Sequence, residues 1–408
     1  MTVYSGLGLF MKNTFLAVQV FLAAIFSAGS LLQAEPIEIS KSAQRTFVQP
    51  TLQIRQINGD KEFCDPFYRY LVTCGWFRVV NGNADYNLIV NGGDGKVSMQ
   101  LFFGENPVLS KNISYSGDVR RAAARSVDEL ISARFKQKLC DSQLTFTVET
   151  RPGIKEVFVC DTDGGNIRKI TDFSTSCVEP SWMPDGKSVV YTRYTLAGTD
   201  VCETMINPWR SRRLTHFKGM NVGAAVHPGG EYLAMIMSID RQVELYVKAL
   251  NSRDRRRLTQ SKAVEASPCW HPNGGSICYV SDRSGRPGLY LIGANGGSPQ
   301  RIPTLGSEAV TPAWAPDGKL AYSAKIGGSY KLAVYDPNGG ESGVIANLPA
   351  GDWEGAAWAP DSRHIAASRR VGKRSEIYIV DSKTGKSRKL LNLKYSQTSP
   401  DWSPIRRD

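Results

Sequence analysis

The residues best suited to metal or nucleophile chemistry are few: four histidines and eight cysteines in a chain of 408. His227 and His271 are 44 residues apart, and each stands before a proline, Pro228 and Pro272. At the same spacing the residue before the proline is Met183, Ala315, Ala359 or Ser403, so these histidines read as members of a repeated turn rather than as a ligand pair. His216 and His364 lie in or beside apolar strand patterns, with no acid at a spacing that would make an acid–base pair. Asp185, Asp317 and Asp361 follow the repeated proline, where an aspartate holds an Asx-type turn by accepting a backbone N–H two residues on. No Gly-x-Ser-x-Gly elbow is present, and no hydrolase-sized segment follows the repeats. No catalytic residue, cofactor or metal is expected. The rival reading is a hydrolytic or metal site gathered from separate repeats around a central channel.

The cysteines admit more than one pairing. Cys64 and Cys74 are ten apart and could close a loop. Cys269 and Cys278 flank the Asn273-Gly274 turn symmetrically, which sets them face to face across two strands. The places equivalent to Cys269 hold Ser181, Ala225, Ala313 and Ala357. These are small residues at a packed position, so a disulfide and two free buried thiols fit equally. Cys140, Cys160, Cys177 and Cys202 have no pairing that sequence can assign.

The elements that position these residues come from an internal repeat. Pro184, Pro228, Pro272, Pro316, Pro360 and Pro404 are each 44 residues apart. Around them recur Trp182-Met-Pro184-Asp-Gly186, Trp270-His-Pro272-Asn-Gly274, Trp314-Ala-Pro316-Asp-Gly318, Trp358-Ala-Pro360-Asp361 and Trp402-Ser-Pro404. An alternating apolar strand follows each turn, as in 187–194, 231–238, 276–282, 319–325 and 363–370. A third strand and a fourth with a basic start complete the unit, as in Arg212-Arg-Leu-Thr215 and Arg256-Arg-Leu-Thr259. A period of about 40–50 residues with four short strands is the pattern of a β-propeller. Five units are complete. The sixth is split, with 398–404 supplying an inner strand and 145–150, 155–160 and 167–171 supplying the other three. Pairing the two chain ends closes the ring and removes its open edges. The repeat tryptophans Trp182, Trp270, Trp314, Trp358 and Trp402 are then core residues.

Residues 1–34 read as a targeting segment. Lys12 precedes the apolar run Phe15–Phe26, and small residues lead to a cleavage site at Leu32-Gln33-Ala34, with Met11 an alternative start. The rest reads as an exported soluble chain whose cysteines meet an oxidising compartment. Residues 35–140 lack the repeat. They show strand patterns at 52–57, 77–80, 86–90 and 97–103, then a helix from Asp118 to Leu139. On it Ala123, Val127, Leu130, Ile131 and Phe135 share a face, while Arg121, Arg125, Asp128 and Arg134 face water. The fold class is therefore two-domain: a small α+β domain at 35–140, then a six-bladed all-β propeller at 141–408 closed by the C-terminal strand. The net charge is +12 at pH 7, but no block of five like charges appears. Nucleic acid is accordingly not an expected partner.

A targeting segment, a small α+β domain ending in a helix, and repeats of this Trp-x-Pro-Asp-Gly type together resemble the TolB family of the periplasmic Tol-Pal system. The best fragments are Pro268-Cys-Trp270, Asp282-Arg-Ser-Gly-Arg-Pro287 and Asn295-Gly-Gly297. The many cysteines and His227 depart from the pattern, and the repeat type also occurs in peptidase and other exported propellers. The resemblance implies a monomeric, non-enzymatic scaffold in the periplasm. Its propeller would bind the peptidoglycan-associated lipoprotein Pal, and its mature N-terminus would engage the membrane protein TolA. The process served would be outer-membrane integrity, cell division and transport. The alternative is an exported propeller for a peptide or glycan, or a hydrolase accessory module.

Loops joining strand four of one blade to strand one of the next share a face with those joining strands two and three. They fall near 173–179, 216–223, 260–266, 304–310, 348–355 and 394–399, with 283–287 and 371–374 from the second set. They vary while the opposite turns repeat, as a binding surface on a repetitive scaffold would. Trp353 stands where the repeat has Ala309 and Glu265, so it is either a partner anchor or a ring folded onto the neighbouring loop. Met220, Asn221, Glu265, Arg286, Glu308 and Glu354 are the other candidates of this face. The N-terminus after cleavage, Glu35-Pro36-Ile37-Glu38-Ile39-Ser40, alternates two isoleucines. It would either add a strand to a partner's sheet or dock on its own domain.

Overall fold

The computed structural model describes residues 47–239 and 242–407, so the targeting segment and Glu35–Ser40 lie outside the described residues. Strands β1 (Thr51–Gly59), β2 (Arg78–Val79), β3 (Tyr86–Gly93), β4 (Lys96–Phe103) and β5 (Asn106–Ser114) form one sheet in the order β2-β1-β3-β4-β5. Two helices pack on it, α1 (Lys61–Thr73) and α2 (Val119–Phe135). Phe63, Phe67, Leu71, Val127, Leu130 and Ile131 from the helices share a core with Leu88, Val90, Met99 and Leu101 from the sheet. α1 and β5 are elements the sequence reading did not anticipate. α2 starts as expected, with the Asp118 carboxylate accepting the Arg121 N–H at 2.9 Å. It stops at Phe135 rather than Leu139 because Lys136 turns left-handed, with φ 60°.

That reversal corrects one expectation. Asp128 does not face water; it is 2% exposed and accepts the backbone N–H groups of Leu139, Cys140 and Asp141 at 2.7–2.8 Å. Burial pushes its carboxyl up to about 6, against the pull of those three bonds.

Six four-stranded sheets follow, and each is a blade. The inner strands are Cys177–Trp182 (blade I), Asn221–Val226 (II), Glu265–Trp270 (III), Ala309–Trp314 (IV), Asp352–Trp358 (V) and Gln397–Trp402 (VI). The sixth blade is the split one: Gln397–Trp402 pairs antiparallel with β6 (Gln143–Arg151), which pairs with β7 (Ile154–Asp161), which pairs with β8 (Arg168–Lys169). Trp402 is buried, and its Nε1 donates to Ser142 Oγ at 2.7 Å. The neighbouring Asp401 carboxylate accepts the Trp182 N–H of blade I at 2.7 Å, so the last strand ties to blades on both sides. Beyond it, the Arg406 guanidinium donates to Asp141 at 2.7 Å. Trp270 and Trp358 each donate Nε1 to a carbonyl of the preceding blade, Ala225 and Ala313, both at 3.1 Å.

Every inner strand breaks register at the same place. Its third repeat position is left-handed: Glu179, Gly223, Ser267, Thr311, Gly355 and Ser399, with φ between 46° and 64°. The ladder slips by a residue there in all six blades. Glycine takes this conformation freely, whereas the other four positions cost about 1–2 kcal/mol each. Contacts between blades hold two of them. Glu179 accepts the N–H of Gly223 at 3.1 Å, and Thr311 Oγ1 accepts that of Gly355 at 3.2 Å.

The α+β unit meets the ring on the turn face of blades V and VI. Trp76 Nε1 donates to Asp361 at 3.0 Å, and Arg363 donates to Gly75 O at 3.2 Å while lying 3.8 Å from the Phe47 ring centre. Arg120 donates to Asp163 at 2.6 Å and to Asp161 at 3.1 Å. All eight cysteines are thiols, and Cys269 and Cys278 are direct register partners.

Two outcomes follow from closure. Trp402→Ala lowers stability by about 3–5 kcal/mol, read as a shift of the urea midpoint, and exposes the edge of β6. Desolvation raises the Asp401 carboxyl to about 6, above its unfolded value near 4. Its contribution is thus fully present below about pH 4 and lost as pH rises through 6, an effect on the order of 2 kcal/mol. Asp401→Asn keeps an acceptor for Trp182 and removes this slope, so urea midpoints of variant and parent diverge between pH 4 and pH 7.

Candidate partner-binding face

The α+β unit and the repeated turns take one face of the ring, which leaves the other, carrying the loops between blades and the hairpins between strands two and three, to be built from unique residues. The candidates divide by repeat position. Asn221, Glu265 and Trp353 are register equivalents, 44 residues apart, together with Cys177, Ala309 and Gln397. All six are no more than 1% exposed. This corrects their reading as partner contacts, because the first inner-strand position points between blades.

Asn221, Glu265, Trp353 and Gln397 staple the loop before them. The Asn221 amide donates to Phe217 O at 2.9 Å and Gly219 O at 3.1 Å. Glu265 accepts from Ser261 Oγ at 3.2 Å, four residues earlier, and from Arg283 at 2.9 Å. Trp353 Nε1 donates to Pro349 O at 3.0 Å, also four earlier, with its ring edge-on to Tyr378 at 5.5 Å. Of the two readings of Trp353, burial speaks against the partner anchor, and the loop the ring caps is its own, at Pro349, rather than a neighbouring one. The Gln397 amide donates to Tyr395 O at 3.2 Å. Loops fixed in this way lose less entropy when a partner lands on them.

The remaining candidates are reachable. Arg286 is exposed; Met220, Glu308 and Glu354 are half-buried. Burial would raise the Glu308 carboxyl, but hydrogen bonds from Lys325 (2.8 Å) and Tyr330 (2.7 Å) outweigh it and leave it below the usual glutamate range. Glu354 is pushed up by burial despite Arg370 at 3.5 Å. Sequence reading missed the apolar tips of this face. Leu196 is 97% exposed, and Val371, Ile326 and Tyr395 are exposed as well. The missed signal was an aliphatic residue just before the glycine of a hairpin tip: Leu196 before Ala197-Gly198, Ile326 before Gly327, Val371 before Gly372.

Among the described residues of this face, no histidine lies against an acid. The histidine with a buried acid beside it is His364, whose Nδ1 lies 2.6 Å from Asp361 on the opposite face. This corrects the expectation of no paired acid, since a tight turn brings residues three apart into contact. The pair serves the junction. Asp361 also accepts from Trp76 and holds the expected Asx turn at Arg363 N, 3.0 Å away. A Cβ on Gly75, whose φ is +71°, would sit 2.6 Å from His364 Nε2. His227 and His271 lie 4.7 Å from the rings of Trp270 and Trp314, as turn residues would. Among the described residues, no group of three His, Cys, Asp or Glu is placed to hold a metal.

Residues 136–406 match the family model of the TolB beta propeller domain. Among curated relatives, the Tol-Pal system protein TolB of Desulfosudis oleivorans is 31% identical over 167 residues, 39% of this chain and 36% of that protein. The TolB homolog of Chlorobium luteolum is 27% identical over 158 residues, 37% and 35% of the two chains. The chain thus spans just over a third of the length of these relatives. A solved TolB from Acinetobacter baumannii superposes with a TM-score of 0.80 over 88% of this chain and 98% of that one, at 20% identity, which speaks for the fold.

The stapling and exposed sets separate by experiment. Trp353→Ala lowers stability by about 3–5 kcal/mol, whereas Leu196→Ser changes it by less than about 0.5 kcal/mol, both measured by urea unfolding.

Proposed function

The chain belongs to the TolB family, and on that premise we propose that it is a non-enzymatic interaction scaffold of the Tol-Pal system in the periplasm. In this reading the propeller at 141–408 binds the lipoprotein Pal, and Glu35–Ser40 at the head of the 35–140 domain engages TolA. The process served is outer-membrane integrity and cell division. The observation that carries the reading is one of faces. The α+β unit occupies the repeated turns of blades V and VI, while among the described residues the pre-organised loops, with Leu196 and Val371 at their tips, are uncovered. Rigid loops edged with exposed aliphatic side chains suit a folded protein partner. A glycan or a catalytic substrate would ask instead for a polar cleft with convergent groups.

Leu196→Asp with Val371→Asp weakens binding of a purified Pal-type lipoprotein at least about tenfold, measured by calorimetry on correctly folded protein. Unchanged affinity rejects the face. Deleting residues 35–40 abolishes binding of the TolA C-terminal domain and leaves the propeller folded; retained TolA binding rejects that assignment.

A further inference from the structure

The outermost strand of a blade is an edge, and on four consecutive blades, V, VI, I and II, these edges carry at least two basic residues. On blade V Arg388 is taken up by Thr73 O and Thr162 O and Lys389 pairs with Glu376 at 2.8 Å, which leaves the other three as the basic rim. Blade VI carries Arg168 and Lys169, blade I carries Arg210, Arg212 and Arg213, and blade II carries Arg255, Arg256 and Arg257, preceded by Arg253. Acids neutralise only part of this rim. Arg212 pairs with Glu203 at 2.6 Å, Arg213 with Asp200 at 3.5 Å, Arg257 with Glu244 at 2.8 Å, and Lys169 with Asp172. Among the described residues, Arg168, Arg210 and Arg253 have no acidic partner. Arg256 is held by neutral groups, Ala294 O at 2.8 Å and Asn295 Oδ1 at 3.0 Å, so its charge is uncompensated. Arg255 lies over the Phe217 ring at 4.2 Å.

An aromatic stands among these cations. Trp209, next to Arg210, is 60% exposed, and its Nε1 donates to Ile170 O of the neighbouring blade at 3.1 Å. The indole is therefore fixed across the gap between blades VI and I, with Ile167 also exposed. Charged edge strands guard against edge-to-edge pairing, but that need explains neither a large exposed indole nor the outer strand of blade IV, Glu341–Val344, which has no basic residue.

We propose that this rim is a contact surface for an anionic phospholipid bilayer. A compact anion needs guanidinium groups that converge. Here they are distributed along separate blades, which suits an extended surface of phosphate headgroups better than one small ion. An indole flanked by arginines is the side-chain pair that settles at the headgroup level of a bilayer. The rim runs along the outer edges rather than over the loops between blades, so it stays available when those loops are covered.

The test is co-sedimentation of the full chain with vesicles of phosphatidylcholine, alone or mixed with phosphatidylglycerol. Binding is expected only to the mixed vesicles. It is expected to fall when ionic strength rises from about 0.1 to about 1 M, which shortens screening from about 10 to about 3 Å. Arg210→Gln, Arg253→Gln and Arg255→Gln each weaken it about fivefold, and Trp209→Ala weakens it in a variant that keeps the circular dichroism spectrum of its parent. Lys218→Gln with Lys262→Gln, on the loop face, leaves it unchanged. Equal binding to both vesicle types, no binding, or equal losses from the loop-face variants would overturn the proposal. So would a Trp209→Ala variant that binds as well as its parent, with the arginine variants impaired only on dextran sulfate; that result would assign the rim to an anionic polymer.

Discussion

The structure depends on one pairing of distant segments. Gln397–Trp402 hydrogen-bonds to β6, which is separated from it by the whole of blades I to V. Without that ladder, blade VI is three strands with an open edge and blade I has lost a neighbour. Closing so long a loop costs entropy that rises only slowly with its length. A few well-made contacts at the seam can offset that cost: Trp402 on Ser142, Asp401 on Trp182 and Arg406 on Asp141. The pairing also forces the start of the ring and the end of the chain together, and α2 reads that junction directly. Arg121 reaches both Asp141 (3.2 Å) and the carbonyl of Arg407 (3.0 Å).

The contact between the α+β unit and the ring joins one apolar core, in which Trp76 and Leu130 share a cluster with Ala359, Ile379 and Leu391, to buried charges that are matched. Arg363 is almost wholly enclosed and binds Asp381 at 2.5 Å in a two-pronged pair. Burial alone would raise the carboxyls of Asp361 and Asp381. Partners in the folded chain hold both below the usual aspartate range, His364 for the first and Arg363 for the second. Buried ion pairs of this kind seldom add net stability over an apolar contact, yet removing one partner is costly. What they supply is a single docking geometry, which keeps the unit on the turn face and off the loop face.

Much of the fold was legible because a propeller writes its period into the chain. Prolines 44 residues apart, each preceded by tryptophan or its substitute, fixed the number of blades and the split sixth one. The left-handed bulge was not legible, since the position is filled by Glu179, Ser267, Thr311 and Ser399 as readily as by glycine. α1 was missed because Pro66 interrupts a stripe of Phe63, Phe67, Tyr70 and Leu71 that is otherwise helical in spacing. Asp128 was misplaced for a different reason. A helical projection shows which residues share a face, but not that the chain folds back over that face after Lys136.

The loop face shows the limit of reading variation as function. Trp353, Glu265 and Asn221 drew attention because they break the repeat in a loop region. Position, not rarity, decides their role. The first inner-strand residue lies between two sheets, where each blade pair presents a different gap, so the residue that fills it differs from blade to blade. Variation there records local packing and the need to tie down the preceding loop. The side chains free to meet a partner are at hairpin tips, where Leu196 and Val371 touch little of their own protein. Buried staples set the shape of the loops and exposed tips set what the loops can hold, so a change of partner would alter the second set while leaving the first in place.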